Sequence, residues 1–171
     1  MIDAQKREAF ASFSTLLGRG KKETRSLVIR PPYAHNKELF NTICLTCKDT
    51  PCVGACEEEI IFLDENHTPC LLFTKSGCTF CEECAKACPH EVLHVKPESE
   101  AKIDVNVKID MGKCIAWNGT ICNSCGDACV PKAIKFFGMF RPIVEMDKCT
   151  GCGFCYGVCP ANAVLIKGGV M

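Results

Sequence analysis

The sequence predicts an α+β fold in which short helices and short strands recur along the chain in tandem modules. Three observations support this prediction. Cysteines recur in four similar groups, a short apolar run suited to a β-strand follows each group, and only 8% of the 171 residues are aromatic. Modules of about 50 residues with so few large side chains have a thin core, and they usually need disulfides or bound metal to fold.

Sixteen of the 17 cysteines fall into the four groups. In chain order the groups are Cys44, Cys47, Cys52 and Cys56; Cys78, Cys81, Cys84 and Cys88; Cys114, Cys122, Cys125 and Cys129; and Cys149, Cys152, Cys155 and Cys159. The strands predicted after them are 60–63, 92–95, 133–137 and 163–166. A ligand loop, a half-turn of helix and a strand thus form a unit that is repeated four times.

The fourth group has the most informative spacing, CxxCxxCxxxC followed by Pro160. This run is typical of bacterial ferredoxins, in which it binds a [4Fe-4S] cluster and offers its last cysteine to a second cluster. Gly151, Gly153 and Gly157 permit the tight backbone turns of such a loop. The second group repeats every spacing and is followed by Pro89. We therefore expect bacterial-ferredoxin-like modules in which all sixteen grouped cysteines ligate four [4Fe-4S] clusters.

The first and third groups depart from this spacing. Four residues separate Cys47 from Cys52, and seven separate Cys114 from Cys122. If one cluster is lost, labile or differently ligated, we expect it at one of these two groups.

The gaps between the groups suggest how the modules pair. The longest gap, from Cys88 to Cys114, contains a polar stretch with Pro97 that suits a linker. The predicted organisation is an N-terminal arm (1–29), a first two-cluster module (30–96), a linker with a strand (97–108) and a second two-cluster module (109–171). In this tandem arrangement the last cysteine of each group serves its neighbour: Cys56 the second cluster, Cys88 the first, Cys129 the fourth and Cys159 the third. A nested arrangement, first with fourth and second with third, also fits the spacing.

Two further interpretations concern the cysteines. Closed zinc sites favour two CxxC pairs that lie far apart in the chain, and two uninterrupted CxxCxxCxxxCP runs do not fit that pattern. Cys70 lies outside the groups in an apolar run and is predicted to be a buried structural thiol.

The N-terminal arm has a different character. Residues 3–17 are predicted to form an amphipathic helix with Phe10 and Phe13 on its apolar face, which either packs on the first module or docks a partner. The basic run at 19–25 is expected to be a solvated loop rather than a nucleic-acid site.

The charge and the compartment follow from the composition. Lys and Arg balance Asp and Glu at 20 each, and four clusters of about −2 would bring the charge to about −8. Such a protein is steered towards basic partner surfaces. The sequence has no recognisable secretory signal and no apolar run of the ~18 residues that span a membrane. We expect a cytoplasmic protein with no membrane span, because thiols stay reduced there.

Four segments carry a resemblance to a known family. They are Arg30-Pro31-Pro32-Tyr33; Cys78-Thr79-Phe80-Cys81; 121–129 (Ile-Cys-Asn-Ser-Cys-Gly-Asp-Ala-Cys) with 133–136; and Cys149-Thr150-Gly151-Cys152. They resemble the NapF family, the four-cluster cytoplasmic ferredoxin-type accessory proteins of periplasmic nitrate reductase systems. The resemblance extends from about Arg30 to Lys167, and Lys6-Arg7 lies where the family often has two arginines. The first group instead resembles a motif of the iron-sulfur subunits of molybdenum oxidoreductases.

The resemblance implies a partner and a role. The partner is the molybdenum catalytic subunit of nitrate reductase before its export, and the role is its maturation, through cluster assembly or electron supply. The residues alone leave open a general electron-transfer polyferredoxin or an electron-transfer subunit of another oxidoreductase. We expect no enzyme and no catalytic residue, because no GxGxxG, phosphate loop or other catalytic constellation occurs in the sequence.

Overall fold

The computed structural model describes residues 28–98, 100–138 and 140–169. The helix predicted for residues 3–17 and the basic run after it lie outside the described residues. The described chain is a mixed α+β structure of one-turn helices and short antiparallel strands. It follows that loops, rather than long regular elements, position most of the functional side chains.

A one-turn α-helix carries the third cysteine of each group. These helices are α1 (Pro51–Gly54), α2 (Glu83–Lys86), α3 (Ser124–Asp127) and α4 (Phe154–Gly157). The residue before three of them is left-handed: Thr50, Glu82 and Gly153 have φ of 37°, 68° and 87°. Such a residue turns the ligand loop sharply into the helix. Two short 3₁₀ segments, Lys37–Asn41 and Cys44–Thr46, precede α1.

Within the described residues, six strands form three separate two-stranded antiparallel ribbons. The strands are β1 (Ile61–Leu63), β2 (Pro69–Leu71), β3 (Val105–Ile109), β4 (Ile134–Phe137), β5 (Arg141–Val144) and β6 (Val164–Gly168). β1 pairs with β2 and β4 with β5 as hairpins, whereas β3 pairs with the distant β6. The predicted linker strand therefore pairs with β6 in the second half of the chain (from residue 97 onwards), whereas β1 and β2 lie in the first half (up to residue 96).

The strand predicted at 92–95 is wrong. Leu93 makes only an isolated antiparallel bridge with Ala34, and the His94 N–H donates to the Tyr33 carbonyl at 3.1 Å. The facing segment cannot extend the ladder, because Pro31 and Pro32 have no N–H and Tyr33 is left-handed with φ of 69°.

One buried core runs through both halves of the chain. Phe40, Leu93 and Phe73 of the first half pack in the same cluster as Val105 and Val164 from the β3–β6 ribbon. Two small clusters, around Ala116 and Ala133, lie beside the cysteines of the second half. The apolar core is therefore thin and threaded between the cysteine loops. Among the described residues, no helix is long and apolar enough to cross a membrane.

Candidate iron-sulfur sites

The first set of cysteines draws on two groups. Cys44, Cys47, Cys52 and Cys88 line one cavity, together with Pro89 and His90. Burial raises the pKa of Cys52 to about 11, and the neighbouring Cys88 thiol adds to the shift. Cys88 thus lies with the first group although it follows the second group in sequence.

The second set is the reciprocal of the first. Cys56, Cys78, Cys81 and Cys84 line one cavity, with Tyr33 and Phe80 in its wall. Burial raises the pKa of Cys84 to about 12, and the charges of Cys78 and Cys81 are the next contributors to the shift. Cys56, the last cysteine of the first group, completes this set.

The third set repeats the exchange in the second half of the chain. Cys114, Cys122, Cys125 and Cys159 line one cavity, which Pro142 and Pro160 also border. Burial raises the pKa of Cys125 to about 11, with Cys114 and Cys122 as the next contributors. The seven residues between Cys114 and Cys122 do not keep these two cysteines apart.

The fourth set consists of Cys129, Cys149, Cys152 and Cys155. Burial raises the pKa of Cys155 to about 12, and the charges of the other thiols around it add to the shift, first those of Cys152 and Cys149. Cys129 is buried with Ala133 and Ile134, and Cys149 and Cys155 pack against this cluster. The donors of this set, like those of the others, are four thiols.

The short helices explain why the sets exchange members. Cys84 lies in α2 and points into the second set, while Cys88, one helical turn later, lies in the first set. The same spacing separates Cys155 and Cys159 in the second half. One turn of helix therefore joins two neighbouring sets within each half of the chain.

Backbone N–H groups point at several of the sulfurs. The amides of Ala133 and Ala163 donate to the Sγ atoms of Cys129 and Cys159, each at 3.2 Å. The Phe80 N–H lies 3.4 Å from Cys78 Sγ. Such donors stabilise negative charge on a thiolate. A [4Fe-4S] cluster needs four thiolates with hydrogen bonds of this kind, so the donor sets fit it.

Tyr33 is a site residue that the sequence analysis did not single out. Its phenol donates a hydrogen bond to the Phe80 carbonyl at 3.0 Å, inside the loop of the second group. Burial raises the pKa of Tyr33 to about 12, with the Cys78 charge as the next cause, so the phenol stays protonated as a donor. The only signal in the sequence was its place in the Arg30-Pro31-Pro32-Tyr33 segment.

Two other residues lie away from the sets. Cys70 is half-buried in β2 and lines none of the three cysteine cavities. His94 is half-buried, and its ring centroid lies 4.6 Å from that of His35. In the part of the chain that the structure describes, no three Cys, His, Asp or Glu side chains are close enough to surround a single metal ion.

Comparisons with known proteins point the same way. The 4Fe-4S binding domain family matches residues 142–165. The ferredoxin-type protein NapF of Escherichia coli (strain K12) is 32% identical over 167 residues, which cover 95% of this chain and 94% of that protein. The ferredoxin-type protein NapG of the same organism is 31% identical, over 81% of this chain and 69% of its own length. The methylamine utilization ferredoxin-type protein MauM of Methylophilus methylotrophus is 30% identical, over 92% and 79%.

Proposed function

This chain belongs to the NapF family of ferredoxin-type proteins, and we propose that it carries four [4Fe-4S] clusters in the cytoplasm. We propose further that it is accessory to the maturation of a nitrate reductase, through cluster assembly or electron supply to the molybdenum catalytic subunit before export. The observation that carries the cluster proposal is the convergence of four thiols in each set.

Each set supplies the four ligands of one cluster. The first set is Cys44, Cys47, Cys52 and Cys88; the second is Cys56, Cys78, Cys81 and Cys84; the third is Cys114, Cys122, Cys125 and Cys159; the fourth is Cys129, Cys149, Cys152 and Cys155. When bound, a [4Fe-4S] cluster takes up and releases one electron at a potential that its surroundings set. The residues of the chain perform the remaining tasks.

The surroundings of the sulfurs control the charge on each set. N–H donors at Cys78, Cys129 and Cys159 stabilise the thiolates and favour the more reduced state. The hydrogen bond at Cys129 is buried, and the low local dielectric strengthens it. Because the Cys84 and Cys155 thiols have pKa values near 12, iron must displace their protons, and loading is expected to improve as the pH rises.

The charge of the loaded protein suits a basic partner surface. The chain itself is neutral, with 20 acidic and 20 basic side chains, and four clusters bring about eight negative charges. Complementary charge speeds the encounter of two proteins and favours one docking orientation.

A second candidate function is that of a general electron-transfer protein for another oxidoreductase. The match to MauM, whose name refers to methylamine utilization, favours this alternative, because it shows that similar chains occur outside nitrate reduction. The ligand sets would be the same in both cases, so the partner decides between them.

Anaerobic purification from the native cytosol tests both the number of clusters and the identity of the partner. The expected result is about sixteen iron atoms per chain together with a co-purified nitrate reductase catalytic subunit that still carries its export signal. Far fewer iron atoms, in a chain that remains folded, would contradict the four-cluster proposal. A full iron count with a different oxidoreductase as the bound partner would support the second candidate.

A further inference from the structure

The loops of the second and fourth groups touch at one backbone hydrogen bond. The Cys78 N–H donates to the Cys152 carbonyl at 2.7 Å. Cys78 belongs to the second set and Cys152 to the fourth, so a single hydrogen bond links the backbone of two candidate ligands from different halves of the chain. The Ile103 N–H donates to the Thr150 carbonyl of the same loop at 2.9 Å, and this contact joins no two cysteines.

Glycines make this contact possible. A Cβ on Gly77 would lie 2.5 Å from the Cys152 oxygen and 2.6 Å from the Phe154 nitrogen. A Cβ on Gly157 would lie 2.7 Å from the Lys75 oxygen. Both collisions are with backbone, which cannot rotate away as a side chain can. The two loops therefore approach as closely as they do only because these positions lack side chains.

Within each half, neighbouring sets are joined differently. One helical turn connects Cys84 of the second set to Cys88 of the first set, and another connects Cys155 of the fourth set to Cys159 of the third set. The Cys78–Cys152 contact supplies the remaining link. The four sets are thus connected in the order first, second, fourth, third, which differs from their order along the sequence.

We propose that the Cys78–Cys152 contact is the electron crossing between the two halves, and that Gly77 and Gly157 are positioning residues for it. The proposal rests on the proposed function, because it requires all four sets to be loaded. One electron leaves the centre held by the second set and one electron enters the centre held by the fourth set, with no bond made or broken. An external one-electron reductant supplies the electron, and the first and third sets are the two ends of the series.

Gly77→Ala tests the contact directly in the full, iron-loaded chain. Gly77 is not left-handed, so alanine fits its backbone and acts by pushing against Cys152 and Phe154 of the facing loop. Gly54→Ala is the matched control, because a Cβ there meets nothing within 4 Å. After partial reduction with dithionite, we expect the magnetic coupling between centres, seen as broadened paramagnetic resonance signals, to weaken in Gly77→Ala and to persist in Gly54→Ala. Gly157→Ala should weaken it as well, from the opposite side of the contact.

Removing one set at a time tests the order independently. Cys149→Ser weakens the fourth set, and the third set should then show an uncoupled signal. Cys122→Ser weakens the third set, and the fourth set should remain coupled to the second. The sequence order, first to fourth, predicts the reverse result for this pair of variants.

The outcomes separate this proposal from the proposed function. About sixteen iron atoms in the parent, Gly54→Ala and Gly77→Ala, with equal coupling in all three, would overturn the electron crossing and leave the four-cluster proposal intact. An isolated fourth set in Cys122→Ser would also overturn it. An iron count far below sixteen in the parent chain would instead remove the proposed function on which the inference rests.

Discussion

At the scale of single residues, Tyr33 ties the segment before the first cysteine group to the loop of the second group. Its side chain is only 8% exposed, and its phenol reaches the Phe80 carbonyl at 3.0 Å. Phe80 in turn supplies the N–H that lies beside Cys78 Sγ. The Tyr33 hydroxyl therefore positions Phe80, and Phe80 in turn donates to the candidate ligand Cys78. This is the arrangement expected of a supporting residue around a metal site.

Tyr33→Phe should loosen the second set. The lost hydrogen bond costs about 1 kcal/mol, which is roughly a fivefold change in a rate or an equilibrium constant. When a chelator is added, we expect the earliest phase of iron loss to be about fivefold faster in Tyr33→Phe than in the parent chain. Tyr156→Phe removes the other phenol of the chain and serves as the control. Equal rates of iron loss in both variants would contradict the supporting role of Tyr33.

Arg30 is a basic side chain whose charge acts on the first set through Cys44. It donates to Thr68 Oγ1 at 2.6 Å and to the Pro69 carbonyl at 2.9 Å, and it pairs with Asp64 at 3.3 Å. Burial raises the pKa of Cys44, and the thiols of the same set add to the shift, whereas the charge of Arg30 lowers it. Arg30 therefore favours negative charge at the first set.

Arg30→Met should make one centre harder to reduce. Loss of a unit charge worth about 1 kcal/mol corresponds to a midpoint potential lower by roughly 40 mV for one electron. A redox titration followed by paramagnetic resonance should show one centre shifted downwards and the other signals unchanged. Arg141→Met, at an exposed site over the Trp117 ring, is the control and should leave that centre unchanged. An upward shift or none in Arg30→Met would contradict this account.

At the scale of elements, Gly153 and Phe73 form a packing contact between the halves. Gly153 precedes α4 with φ of 87°, and a Cβ there would lie 2.3 Å from the Phe73 ring. Gly119 has the same φ but nothing within 4 Å of its would-be Cβ. Comparing substitutions at Gly153 and Gly119 therefore separates the free-energy cost of a left-handed backbone from the cost of a steric collision.

Gly153→Ala should therefore destabilise the protein more than Gly119→Ala. The left-handed backbone costs about 1–2 kcal/mol in both variants, and overpacking adds about 1–3 kcal/mol in Gly153→Ala alone. Urea unfolding under anaerobic conditions measures the difference. Phe73→Leu should recover part of the loss in Gly153→Ala, because it removes the ring edge. Equal losses in the two glycine variants would show that the Phe73 contact contributes nothing.

The elements that the sequence predicted best are those that a cysteine spacing or an apolar run defines locally. The apolar runs at 60–63, 133–137 and 163–166 contain strands β1, β4 and the beginning of β6. The strands β2 and β5 were missed, because each contains a proline, Pro69 and Pro142, which weakens the strand signal. The strand at 92–95 was predicted wrongly because its partner segment contains Pro31 and Pro32, a long-range fact that the run itself does not carry.

The candidate sites show the same division between local and distant information. Spacing singled out the sixteen grouped cysteines as candidate ligands and favoured the tandem exchange, while a nested exchange also fits the spacing. The roles of Tyr33 and Gly77 depend on contacts with residues 47 and 75 positions away. No periodicity or motif encodes such contacts, so they become visible only once the chain is folded.

At the scale of the whole molecule, the two halves share one core. The buried cluster that contains Phe40 and Leu93 also contains Val105 and Val164. Because the shared core is thin, the proposed clusters are expected to add to its stability, and losing iron from one half should weaken the other half as well.

The single tryptophan allows this coupling to be measured, because it lies in the second half. Trp117 donates from Nε1 to the Pro142 carbonyl at 3.1 Å and packs beside Cys114 and Ala163. In anaerobic urea unfolding of the loaded chain, the fluorescence of Trp117 and the visible absorbance of the iron centres should change together, as in a two-state transition. Cys47→Ser weakens only the first set, yet it should lower the midpoint of both signals, because the shared core loses support. If the Trp117 midpoint stays at the parent value while part of the absorbance is lost earlier, the halves unfold independently and the shared core does not couple them.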